Sequence, residues 1–101
     1  MSEWIRVGSK TELPSGRLKT AEVRGRQIVI YNVEGKLYST DNTCAHQGGP
    51  LGQGLLEGNV VTCPWHAWQF DICSGQSLFD ADVKVATFPV KVEGDDILVE
   101  V

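Results

Sequence analysis

The chain has 101 residues, 42% of them hydrophobic, with nine Lys or Arg against thirteen Asp or Glu and a formal charge of −4. That length supports one apolar core, and therefore one domain over residues 1–101. The acidic balance, without clustered Lys and Arg, excludes a nucleic-acid partner. No apolar run reaches the ~18 residues of a membrane span, and the opening MSEWIRVGSK lacks the apolar stretch of a secretory signal, so a cytoplasmic protein is expected.

In chain order, Trp4-Ile5-Arg6-Val7 reads as a short first strand with Trp4 at the edge of the core, followed by a turn over Thr11-Glu12-Leu13-Pro14-Ser15-Gly16. Residues 18–24 and 27–33 are alternating or β-branched runs separated by Gly25, which predicts a hairpin. A second turn at Glu34-Gly35 leads into a strand over 36–40. The alternation is that of a half-buried antiparallel sheet. Asp41-Asn42-Thr43 breaks it and puts Cys44 at the exit of the scaffold.

Leu55, Leu56, Val60 and Val61 flank the turn Glu57-Gly58-Asn59, giving a small hairpin whose second strand delivers Cys63. Trp68-Gln69-Phe70-Asp71-Ile72 alternates again and stops at Ser74-Gly75. Residues 77–83 have no clear period, and the chain returns to the scaffold over 85–92. There Phe88, Val90 and Val92 alternate with polar or small neighbours before the turn Glu93-Gly94-Asp95-Asp96 and a last strand over 97–101. No segment carries a helical stripe. The expected fold is all-β, an antiparallel sandwich or barrel with a small subdomain at about residues 43–76.

That subdomain holds the chemistry. Both histidines and all three cysteines of the chain fall between Cys44 and Cys73. Cys44-x-His46 is followed after sixteen residues by Cys63-x-x-His66, so each of two short hooks offers one thiolate and one imidazole. A single zinc ion is one reading, although zinc hooks more often pair Cys with Cys and His with His. Alternating Cys and His suits two metals, one held by sulfur and one by nitrogen, as in a two-iron, two-sulfide cluster with mixed ligands. Gly48, Gly49, Gly52 and Gly54 are expected to let backbone N–H groups approach the sulfurs, and Pro50 and Pro64 to stiffen the loops. With two cysteines used, no disulfide framework remains. Cys73 is expected to be an inert residue of its strand or a weakly exposed thiol.

At these residues the sequence resembles the Rieske family, through the C-x-H and C-x-x-H hooks at this spacing, Gly48, Gly49, Pro50 and Leu51 in the first hook, and Pro64, Trp65, His66 and WQFD in the second. The resemblance implies a [2Fe-2S] cluster with Cys44 and Cys63 on the inner iron and His46 and His66 on the outer, surface-facing iron. It also implies a Rieske-type β fold. High-potential members of the family carry a further cysteine in each hook, joined as a disulfide; Gly49 and Trp65 stand at those places here. They also carry serine and tyrosine donors to the cluster sulfurs where this chain has Trp68 and Phe70.

No dinucleotide fingerprint, phosphate loop or nucleophile with a general base is present, so the expected product of the sequence is an electron carrier and not an enzyme. The resemblance implies a free-standing ferredoxin component of a ring-hydroxylating dioxygenase system, taking electrons from an NAD(P)H-dependent flavin reductase and passing them to a terminal oxygenase. The alternative is a cluster-bearing small subunit fixed to the large subunit of an assimilatory nitrite reductase. Trp65 and Trp68 are read as shields against water. Asp80, Asp82, Glu93, Asp95 and Asp96 form a solvated acidic surface able to steer a basic partner.

Overall fold

Residues 26–33 set the architecture. RQIVIYNV forms strand β3 (Arg26–Val33), and its centre, Ile28, Val29, Ile30 and Tyr31, is 0% exposed on both faces. Such a run needs a layer on each side. The structure, a computed structural model, describes residues 3–43, 50–64, 68–80 and 82–100.

β3 pairs antiparallel with β2 (Leu18–Val23) and β4 (Lys36–Asp41), and β4 with the two-residue β8 (Thr87–Phe88), giving the sheet order β2-β3-β4-β8. Against one face lies the sheet β1-β10-β9, formed by β1 (Trp4–Ser9), β10 (Asp96–Glu100) and β9 (Val90–Glu93). Ile28 and Ile30 meet Leu13, Val23, Ile97 and Val99 there. Against the other face lies a short sheet of β5 (Leu55–Glu57), β6 (Val60–Thr62) and β7 (Gln69–Asp71). Val29 and Tyr31 pack with Leu51, Val61, Cys63, Phe70, Ile72 and Val85 on that side. The half-buried sheet expected from alternation is therefore corrected: β3 is covered twice, and its sequence is a continuous apolar run for that reason.

The hairpins close as their turn residues dictate. Arg24 (φ 53°) and Gly25 (φ 78°) link β2 to β3, and Glu34 (φ 52°) and Gly35 (φ 89°) link β3 to β4, both central residues left-handed as in a type I′ turn. The expected turn at 11–16 overlaps a single 3₁₀ turn (Lys10–Glu12), capped by Ser9 and Glu12 reciprocally. The strand expected over 85–92 is broken. Pro89 has no N–H for a ladder, and the chain changes sheets there, β8 pairing with β4 and β9 with β10. Trp4 lies at a sheet edge, 38% exposed, with the Lys91 ammonium 4.5 Å from its ring centre. No helix among the described residues is long and apolar enough to cross a membrane.

Candidate metal centre

The two hooks leave the scaffold at different strand ends, and each is pinned at its base. The first follows β4, where Thr43 and Pro50 form an antiparallel bridge across the loop that carries Cys44 and His46. Below that bridge Asn42, 8% exposed, works with both backbone and side chain. Its carbonyl accepts the Leu51 N–H at 2.7 Å, and its Oδ1 accepts the Gly52 N–H at 2.8 Å. Its Nδ2 donates to Gln27 Oε1 at 3.1 Å, and its own N–H donates to the Gln27 carbonyl at 3.1 Å. One asparagine thus ties both stems of the first hook to the start of β3. The sequence offered only a turn-former at this position, because Gln27 and Gly52 are brought to it by the fold.

The second hook is closed by the Cys63 N–H donating to the Trp68 carbonyl at 2.7 Å, across the segment that carries His66. Leu55, Thr62 and Gln69 stand side by side over β5, β6 and β7, so Cys63 sits one residue beyond the end of a three-stranded row. It is 1% exposed and shares an apolar cluster with Leu51, the first residue after the other hook's bridge, and with Phe70. The bases of the two hooks therefore meet in one water-free cluster. Cys44, His46 and His66 lie outside the described residues, as do Gly48, Gly49 and Trp65. Among the described residues no three His, Cys, Asp or Glu gather as a metal site.

The described part fits an iron–sulfur group on its chemistry. A buried thiol in an apolar setting at the base of a hook suits a soft, water-sensitive metal sulfide, and a thiol needs no charged neighbour once a metal takes its proton. The role expected for two glycines is corrected. A Cβ on Gly52 would strike Thr20 and Asn42 Oδ1, and one on Gly54 would strike the Thr62 and Leu51 carbonyls. Both glycines let the hook stem lie flat on the scaffold, rather than bring N–H groups to sulfur.

Beneath the site, Tyr31 donates its hydroxyl proton to Thr40 Oγ1 at 2.8 Å, since Thr40 spends its own on the Asp41 carbonyl at 3.0 Å. Burial pushes the Tyr31 phenol well above its ordinary pKa, with the Thr40 contact opposing. Cys73 is not part of its strand. It follows β7 in an exposed turn, its N–H donating to Asp71 Oδ1 at 2.8 Å, and its hydrogen bond raises the pKa of the Tyr38 phenol. The acidic residues divide by location. Asp96 is engaged with Arg6 at 2.8 Å, Glu93 ends β9 and Asp95 lies in the β9–β10 turn, whereas Asp80 and Asp82 follow β7 on the same side of the chain as the second hook.

Known proteins share both the sequence pattern and this geometry. The chain is 35% identical to the ferredoxin component of a naphthalene 1,2-dioxygenase system of Pseudomonas aeruginosa, over 97% of this chain and 95% of that one. It is 38% identical to the ferredoxin component of the 2,4-dinitrotoluene dioxygenase system of a Burkholderia species, over 99% and 98%. A solved complex of reduced oxygenase and oxidized ferredoxin in carbazole 1,9a-dioxygenase contains a chain that superimposes with a TM-score of 0.88 at 28% identity, over 95% of this chain and 91% of that one. The Rieske [2Fe-2S] domain matches residues 3–97, a span that takes in both pinned hooks and every strand but the end of β10, and the chain belongs to that family.

Proposed function

We propose that the chain is a Rieske-type ferredoxin that carries single electrons from an NAD(P)H-dependent flavin reductase to a terminal oxygenase in the cytoplasm. Its 101 residues act as one domain, with residues 43–76 as the cluster-binding subdomain. Cys44 and Cys63 would hold one iron of a [2Fe-2S] cluster, and His46 and His66 the other. When bound, the cluster takes up one electron and gives it back. The chain's own residues do the rest. Asn42 and the Thr43–Pro50 bridge fix the first hook, the Cys63–Trp68 hydrogen bond fixes the second, and Leu51 and Phe70 keep water from the Cys63 sulfur.

The observation that carries this reading is the convergence of both hook bases on one buried cluster containing Cys63. The relatives bear the names of ferredoxin components, which favours a shuttle over a subunit fixed to a nitrite reductase. The test is chemical. Purified protein should contain two irons and two acid-labile sulfides per chain and absorb in the visible, and Cys63→Ala should lose both. A flavin reductase with NADH should bleach that absorption. Zinc without sulfide would end the proposal, and a complex with a large partner that survives gel filtration would return the fixed-subunit alternative.

A further inference from the structure

Two large apolar side chains stand in water immediately beyond the second hook. Phe79 is 61% exposed and Leu78 52%. Single exposed apolar residues are ordinary, but these are consecutive, and Phe79 meets the half-buried Trp68 edge-on, at 5.7 Å between ring centres and 90° between planes. The segment is also fixed. Ser77, 5% exposed, accepts the N–H of Phe79 at 3.1 Å and of Asp80 at 3.3 Å on its Oγ, and donates its own N–H to the Val83 carbonyl at 2.9 Å. The Leu78 N–H donates to the Gln69 carbonyl at 2.9 Å. A backbone held this way presents the two side chains as a preformed knob, and little ordering entropy is left to lose on docking.

Its location and its charge say what docks. Trp68, which supports Phe79, also closes the hook that carries His66, so whatever covers the knob lies against the cluster end of the molecule. Residues 64–83 contain no Lys or Arg, Lys84 being the next basic residue, and the exposed Asp80 and Asp82 follow the knob in the chain. Two copies of one acidic patch repel, which argues against self-association.

We propose that Leu78 and Phe79 are the apolar anchor by which this chain docks on its terminal oxygenase, whose complementary surface is a recess rimmed by Lys and Arg. The proposal rests on the electron-carrier reading above and adds to it the residues and the partner. An electron acceptor must approach the cluster closely, so its footprint includes the surface next to the second hook. A partly buried aromatic at the centre of a small transient interface is the kind of residue that dominates binding.

The experiment titrates cluster-loaded protein by calorimetry into the dioxygenases of the naphthalene and 2,4-dinitrotoluene systems, with wild type, Phe79→Ser, Leu78→Ser and Val92→Ser. Val92 is the control, 39% exposed on β9 in another sheet. Phe79→Ser should weaken binding at least tenfold, which is about 1.4 kcal/mol, and Leu78→Ser several-fold. Val92→Ser should change nothing, all variants should keep iron and sulfide, and added salt should weaken wild-type binding. Phe79→Ser binding like wild type would overturn the anchor. So would loss of its cluster, which would assign Phe79 to shielding, or a defect seen only in reduction by the flavin reductase. A wild type that the reductase reduces but that binds neither dioxygenase overturns the anchor alone. A wild type that is neither reduced nor bound overturns the electron-carrier reading as well.

Discussion

Single residues here differ in how openly the sequence declares them. The ligand candidates are plain, because a thiolate and an imidazole in one short hook have few structural uses, and Cys63 directly follows β6, the second strand of the small hairpin expected there. Asn42 is the opposite case. Its hydrogen bonds to Gln27 and Gly52 exist only after β3 and the first hook are assembled. Asn42→Ala leaves the Gly52 N–H without its acceptor, and an orphaned half-buried donor costs about 1–3 kcal/mol. The expected outcome is a lower melting temperature together with faster bleaching of the visible absorption in air, the second because the first hook loses its stem. An Asn42→Ala protein as stable and as slow to bleach as wild type would remove that role. Phe70 bears on redox properties. It is 0% exposed in the apolar cluster that includes Cys63, and it has no hydroxyl, where the Rieske resemblance implies a donor in high-potential members. A donor to the cluster sulfurs favours the reduced form, and ~60 mV corresponds to about 1.4 kcal/mol for one electron. Wild type should therefore lie near the low end of the Rieske range, about −150 mV. Phe70→Tyr should raise the potential by roughly several tens of millivolts, a fraction of the worth of one such bond. Protein-film voltammetry measures both, and an unchanged potential with an intact spectrum would count against the missing-donor argument.

At the scale of elements, the hairpins were readable because their turns are written in local chemistry. Arg24-Gly25 and Glu34-Gly35 each put a glycine where a left-handed residue is needed, between runs that are alternating or β-branched. The break in the run over 85–92 was not readable in the same way. Pro89 signals an interruption, but which sheet receives each half depends on β4 and β10, residues far off in sequence. The glycines show the same division. Gly25 has open space where a Cβ would go and only a conformational reason to be glycine, whereas Gly54 abuts backbone carbonyls that cannot step aside. Gly25→Ala should lower stability by about 1 kcal/mol and leave cluster content unchanged. Gly54→Ala should cost roughly 1–3 kcal/mol by overpacking and also reduce iron and sulfide per chain, since it displaces the β5–β6 stem that ends at Cys63. Thermal melts paired with iron analysis separate the two, and equal iron content in both variants would contradict this account of Gly54.

For the whole molecule, the all-β class follows from pattern alone, while the three-layer stacking does not. Periodicity says that β3 is apolar on both sides, but a continuous run of QIVIY is equally a buried strand or a short buried helix until its partners are placed. The layer made by β5, β6 and β7 is thin, three strands of three residues each, and its apolar contribution centres on Leu51, Val61, Cys63 and Phe70. Metal removal should therefore matter globally. A ligand bound only by the native state adds stability by mass action, so the apo form should melt well below the holo form, with the loss reversed on reconstitution with iron and sulfide. Identical melting curves would mean that the thin layer stands without the cluster.

β3 serves as the common wall of two rooms. The amides of Val29 and Tyr31 belong to the same backbone ladder as those of Ile28 and Ile30, although their side chains face opposite layers. The ladder cannot open toward one side only. Loss of iron from the hooks should thus be felt in the far sheet without any moving part, as faster deuterium uptake along the whole of β3. A damaged carrier of this design becomes visible to proteolytic quality control as a unit, rather than persisting as an intact scaffold with an empty tip.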